Sequence, residues 1–423
     1  MPDKSCSQEF AYQPILSKEQ ASVAIALRYR ISSNESIGED EALRAANTII
    51  NAFIHSGLDD LLRHRLAFIP VTWALLDSDL LKLLPAERIA LELSCPEELN
   101  EKCLERCSEL RSMGYTLVLD DFDESLHMCA LLDSIDIVSL DAKALQEGRG
   151  AATLDRLRQC PVKLLVRGVD TQETFEALRH RGFDLYQGYY FAHFTAISEQ
   201  RADPGKLAVL DIIARLEADE DDNRIEEAFK SNPALALQLL RLVNSSAFAL
   251  RTKINSIKHA FAILGRRQLT RWLQVLLFAL DRSDGSASPL MELALRRARF
   301  MEYVLIYRTH KSSTQMQDAA YLAGLLSLSD VLMGWPIAKI AERLNLADEI
   351  RLALLERSGP IGRLIVLCEK LEAADFDGAN EIAAELLLPL EAVMTAQNEA
   401  LIWAHGICSP ASAEETTPEP ENL

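Results

Sequence analysis

The chain has no window approaching 18 uninterrupted apolar residues, so a membrane span is not expected. Its opening MPDKSCSQEF carries no apolar signal-peptide core, and a cytoplasmic protein is the expectation. The cysteines, at Cys6, Cys95, Cys103, Cys107, Cys129, Cys160, Cys368 and Cys408, lack the dense regular spacing of a small secreted scaffold, and a reducing compartment fits them. Positive charge is also scarce. Lys and Arg number 44 against 63 Asp and Glu, a formal net charge of −19, and that field argues against nucleic acid or anionic lipid as a principal partner. No repeat of fixed period is visible.

What the chain does have is ample core-forming material. Its 423 residues are 49% hydrophobic and 25% charged, the usage of an ordinary globular protein with two or three domains. Between about Phe10 and Phe194, short apolar runs alternate with helix-patterned segments: AYQPIL, LAFIPV, RIALEL, YTLVLD, IDIVSL, VKLLV and FDLYQ read as strands. Leu43, Ala46, Ile50 and Phe53 keep one helical face. Leu99, Cys103, Leu104, Cys107 and Leu110 keep another, which stops at Gly114. Asp170 followed by Glu173 reads as a capping box opening a helix that ends near Gly182. Parallel βα units in a closed or incomplete barrel follow, with an open doubly wound sheet as the other possibility. After residues 201–205 only helical patterns remain, to about His405. Pro233 stands at an N1 position, Gly265 ends a helix and Ser288-Pro289 opens the next. The segmentation is an N-terminal extension over 1–9, a barrel over 10–200, a helical domain over 203–405 and a disordered acidic tail over 409–423. The region around 194–206 is too short to separate the halves, which should pack as one unit through an apolar interface.

Three stretches taken in order, Tyr12-Gln13-Pro14-Ile15, then Leu119-Asp120-Asp121-Phe122, then Gly168-Val169-Asp170-Thr171 with Gln187-Gly188-Tyr189, resemble an EAL domain. The resemblance covers roughly residues 10–194. It implies a TIM-like barrel that hydrolyses cyclic di-GMP with divalent metals held by carboxylates at the strand C-termini. Residue by residue, it implies that Glu92, Asp120, Asp121 and Gln187 are retained site positions and that Asp170 stands where the family has glutamate. It also implies four losses. Ala26 replaces the signature glutamate, Pro70 the asparagine, Ser139 the lysine and Arg167 the acid–base glutamate. Arg167 puts a permanent positive charge beside the metal positions, where each unit-charge pair at about 4 Å is worth roughly 4 kcal/mol at an effective dielectric near 20. Loss of general-base catalysis typically removes about 10²–10⁴ in rate. The paired aspartates either cap the strand end or, with Glu92, pair with Arg167 in place of a metal.

In the second half, Asn232-Pro233-Ala234-Leu235, Leu242-Val243-Asn244-Ser245-Ser246 and Leu264-Gly265 resemble an HDOD domain, an all-helical module related to HD phosphohydrolases, over about 203–400. Ser327 and Leu328 stand where HD enzymes carry their metal-binding His-Asp pair, so no metal is implied there. His259, His310 and His405 are too scattered for a ligand set. Cys103 and Cys107 belong to an apolar stripe, and Trp272 with Leu269, Leu273, Leu276 and Leu277 to a core-facing one. Arg266, Arg267 and Arg271, with Arg296, Arg297 and Arg299, read as a solvated face.

The two resemblances together imply a signalling adaptor without catalysis or cofactor, acting through other signalling proteins to regulate motility, biofilm or virulence, with a homo-oligomer open. Cyclic di-GMP binding is disfavoured, because Ala26 and Pro70 lack the side chains relatives use. The alternatives are a receptor that binds cyclic di-GMP without cleaving it, and a residual phosphodiesterase.

Overall fold

In the computed structural model, the described residues are 9–30, 65–192, 204–244, 254, 256–279, 288–308 and 312–408, apart from 77, 79–80, 83, 95–99, 121, 123–125, 149–150 and 345. The expected helix around Leu43 to Phe53, the connecting segment 193–203 and the C-terminal tail lie outside them.

Eight strands close a barrel in sequence order: β1 Glu9–Ser17, β2 Ser22–Arg30, β3 Leu66–Val71, β4 Ile89–Leu93, β5 Thr116–Leu119, β6 Ile137–Asp141, β7 Lys163–Arg167 and β8 Leu185–Gln187. The barrel is therefore complete, and the open sheet is excluded. One strand more is present than the hydrophobic runs indicate. The segment Ser22–Arg30 forms β2, and only four residues separate it from β1. A connection that short cannot hold the crossover that parallel strands need, so β1 runs antiparallel to β2, and to β8 on its other side. The sheet is thus mixed, not wholly parallel; β2 through β8 are parallel to one another.

Period-two alternation decides what fills the barrel. Ile15, Ala24, Ala26, Phe68, Ala90, Val118, Ile137 and Leu165 pack together as one interior cluster. Phe10, Tyr12, Ile25, Leu27, Ile69 and Leu91 belong to the larger cluster outside the sheet, which also takes in Cys107 and Leu110 from the helix Glu101–Ser112. That helix ends as its sequence indicates, with Gly114 just beyond the C-cap at φ +101°. The helix Gln172–Arg179 starts one residue later than the capping box suggests. Thr171, not Asp170, is its N-cap and accepts from the Thr174 amide, while the Asp170 carboxylate instead accepts from the Tyr189 amide at 3.3 Å.

The second half is helical from Pro204 to Cys408 among its described residues. Asn232 stands at the N-cap of the helix begun by Pro233 without a capping hydrogen bond, Ser288 caps the one begun by Pro289 by accepting from the Met291 amide, and Gly265 at φ +70° breaks the segment Ile257–Ala279 into two helices. The Asn244 side chain accepts from the Ile254 amide and donates to the Ile254 carbonyl, tying Ile254 to the end of the helix Pro233–Val243. Leu269, Leu273 and Leu277 are buried. Among the described residues no helix is long and apolar enough to cross a membrane.

Antiparallel β1 exposes an outer face, and the helical half covers it. Leu401, from the last helix Leu390–Cys408, joins the barrel's outer cluster, and Tyr189 of the barrel joins the helical core. The contact is not purely apolar. The Tyr12 hydroxyl donates to Asn398 at 2.8 Å, and Arg296 donates to the Tyr12 carbonyl and the Tyr189 hydroxyl, both at 3.3 Å. Arg65, just before β3, grips Glu292 with both guanidinium nitrogens at 2.8 and 3.0 Å. Arg296 and Arg297 are therefore not the solvated face their helical spacing suggests, because the helix Pro289–Tyr307 is buried between the barrel and its neighbouring helices.

Burial pushes the Glu292 carboxyl up, but nearby His405 and the Arg65 guanidinium outweigh it and hold the group at about 2, against an ordinary 4.5. A carboxyl depressed in the folded state contributes its stability fully above its unfolded value and loses it as pH falls from about 4.5 toward 2. Glu292→Gln should therefore lower stability near neutral pH by about 3–5 kcal/mol, the cost of removing one partner of a buried ion pair. It should also flatten the decline of the thermal midpoint between pH 4.5 and 2. Circular dichroism melts across that range test this, and an unchanged midpoint at neutral pH would contradict the proposed tie.

Candidate functional site

Two residues beyond the interior cluster, toward the C-terminal ends of the parallel strands, the same alternation points a second layer into the barrel mouth. Ala26 is followed by Arg28, Phe68 by Pro70, Ala90 by Glu92, Val118 by Asp120, Ile137 by Ser139, Leu165 by Arg167 and Leu185 by Gln187. Register alone thus gathers most of the positions the sequence singles out. Asp121 lies outside the described residues, and Asp170 is exposed beyond β7.

The layer is organised by charge. Glu92 is 4% exposed, and Arg28 donates to its two carboxylate oxygens at 2.5 and 3.4 Å. Arg167 reaches the Asp120 carboxylate at 2.7 Å, and the Ser139 hydroxyl donates to the other oxygen of Asp120. Gln187 donates to the Gln13 side chain at 2.7 Å. Burial pushes the Glu92 carboxyl above its ordinary range, with Arg28 drawing it down against that effect. Arg28 is the partner that sequence reasoning missed. Its signal is parity, since it stands two residues after Ala26 on the same face of a strand that the hydrophobic runs do not reveal.

Divalent metals, which the fold implies, fit these residues poorly. A metal needs the oxygens of Glu92 and Asp120 free, and each already meets a guanidinium at hydrogen-bond distance. Ala26 and Pro70 offer no side-chain donor. Among the described residues no group of three His, Cys, Asp or Glu side chains is placed to hold a metal.

Gly188 is required by packing, because a Cβ there would lie 2.1 Å from the Val169 carbonyl oxygen. This close approach directs Tyr189 outward, where its hydroxyl donates to the Tyr12 carbonyl at 2.9 Å and meets Arg296. In the helical half, Ser327 sits at a helix C-cap and Leu328 is buried. Arg297 donates to the Ser327 hydroxyl at 3.0 Å and forks onto Glu372 at 2.8 and 2.6 Å, so an ion pair stands beside Ser327.

A closed barrel with paired charges at its strand ends, joined to a helical bundle, defines the class. Residues 4–193 match the EAL domain and residues 208–345 the HDOD domain. The chain is an EAL domain followed by an HDOD domain. It is similar over most of its length to the cyclic di-GMP phosphodiesterase CdgJ of Vibrio cholerae serotype O1, at 29% identity over 94% of this chain and 92% of that one. It is also similar to the uncharacterized protein YuxH of Bacillus subtilis (strain 168), at 28% identity over 94% and 98%. Among solved structures, an EAL domain protein from Listeria monocytogenes EGD-e matches at 22% identity and a TM-score of 0.36, over 44% of this chain and 87% of that one.

Removing Arg28 strands a buried carboxylate, so Arg28→Leu should cost about 3–5 kcal/mol. The double variant Arg28→Leu with Glu92→Leu should recover most of that loss, because no uncompensated charge remains. Urea denaturation of the two variants checks this; equal destabilisation in both would show that the pair is not what matters.

Proposed function

We propose that the chain is a non-catalytic adaptor linked to cyclic di-GMP pathways, acting through contacts with other signalling proteins in the control of motility, biofilm or virulence. The observation that carries this reading is the replacement of metal by guanidinium. Arg28 and Arg167 supply the positive charge that divalent ions supply in an EAL phosphodiesterase, and they occupy Glu92 and Asp120 in doing so. Arg167 also stands where the acid–base glutamate belongs, and arginine stays protonated at any working pH. An active site of this kind lacks both the activated water and the group that would accept its proton.

The EAL–HDOD arrangement and the similarity to CdgJ support a place in cyclic di-GMP signalling. The name of that relative favours a second reading, residual phosphodiesterase activity. The non-hydrolysing receptor is the third, with the mouth arginines available to phosphate only if they leave their carboxylates.

The full-length chain incubated with cyclic di-GMP and Mg²⁺ or Mn²⁺ should show no linear dinucleotide product by chromatography. Turnover that disappears in Asp120→Ala would establish the phosphodiesterase instead. Calorimetric titration with cyclic di-GMP, with and without metal, should give no binding heat; saturable binding without turnover would establish the receptor.

A further inference from the structure

Where the barrel meets the helical half, the described charges do not balance. Arg65, Arg296 and Arg297 gather there with Glu292 and Glu372, and all five side chains are between 8 and 14% exposed. Arg65 holds Glu292 with two nitrogens, and Arg297 holds Glu372 with two. Arg296 is left as a third cation against two carboxylates.

The contacts of Arg296 do not neutralise it. Its terminal nitrogens donate to the Tyr12 carbonyl and the Tyr189 hydroxyl, both at 3.3 Å, while the nearest carboxylate oxygen, on Glu372, is 3.9 Å away. Burial pushes the Tyr189 hydroxyl up to about 12, so it stays protonated and uncharged at neutral pH. His405, 3.7 Å from Glu292, can add positive charge but cannot remove it. Arginine keeps its proton at any working pH, so the excess cannot be titrated away. An uncompensated charge held between packed domains is costly.

Arg296 also lines two small cavities at this contact, and it is the one residue common to both. The first, of about 20 Å³, has Arg65 and Glu292 in its wall. The second, of about 30 Å³, is walled by Tyr12, Arg297, Phe300, Glu372 and Gln397. Each has room for a single particle of about the size of water. The second joins two guanidinium groups and an amide, all N–H donors, to only one carboxylate, which Arg297 already engages.

We propose that a halide ion, chloride in ordinary solution, occupies the larger cavity against Arg296 and ties the barrel to the helical half. A halide carries the single negative charge that is lacking, accepts N–H bonds from any direction and is close to water in size. Phosphate, sulfate and organic acids need more room than either cavity offers. The inference concerns the contact between the two halves and does not depend on how the barrel mouth is read.

The test is thermal melting of the full-length chain in sodium chloride and in sodium gluconate at equal ionic strength, gluconate being too large to enter. Saturating chloride should raise the midpoint by about 2–4 °C, the shift expected when a ligand binds only the folded state at several times its dissociation constant. Bromide should act as chloride does. Arg296→Met should lose the response, whereas Arg267→Met, at a surface arginine paired with Asp318, should keep it. Should Arg296→Met fail to fold, anomalous scattering from crystals of the unaltered chain grown in sodium bromide decides the matter, with a bromide peak expected in the larger cavity beside Arg296. Equal midpoints in chloride and gluconate, a halide response that survives Arg296→Met, or a water alone in that cavity in the bromide crystals would each overturn the proposal.

Discussion

The antiparallel first strand sets the arrangement of the rest of the molecule. A hairpin of four residues forces β1 against the direction of its neighbours, so no crossover helix comes between β1 and β2 to cover their outer face. Phe10, Tyr12, Ile25 and Leu27 would then face water, and the helical half removes them from it. The HDOD domain thus does the work that barrel helices do elsewhere, and the two halves share packed residues in both directions through Leu401 and Tyr189. The ion pair of Arg65 with Glu292 adds direction to this contact, since an apolar face alone would tolerate sliding.

At the barrel mouth the governing quantity is charge balance. Buried carboxylates need either metals or fixed cations, because an isolated ionised acid in a low-dielectric interior is far more costly than a paired one. Two arginines supply that balance here, from strands on different sides of the mouth. The same solution recurs in the helical half, where Arg297 and Glu372 close a buried pair beside Ser327.

The two regions are physically connected through β2. Arg28 points into the mouth and holds Glu92, while two residues further along the strand Arg30 pairs with Asp377 and lies 5.6 Å from the centre of the Phe376 ring, both on the helical half. One strand thus meets the mouth through Arg28 and the helix Phe376–Glu385 through Arg30.

Much of this was legible from residues alone. Seven of the strands announce themselves as apolar runs, the helix boundaries at Pro233, Gly265 and Pro289 follow from capping and backbone restriction, and the ordered motifs identify both domains. Local rules suffice there because each depends on a few neighbouring residues. Three matters were settled only by the tertiary structure. Whether Arg28 or Arg167 takes Glu92 depends on the relative position of β2, β4 and β7, which no local signal carries. That Arg297 is buried and Arg296 half-buried depends on what packs over a helix whose spacing by itself resembles a solvated face. The cavity in the helical half lined by Glu217, Gln274 and Glu349 exists only because these residues, separated by dozens of positions, are brought together by packing of four helices. Charge partners far apart in sequence are chosen by the geometry of the whole fold, and a linear pattern records the charges without recording which of them meet.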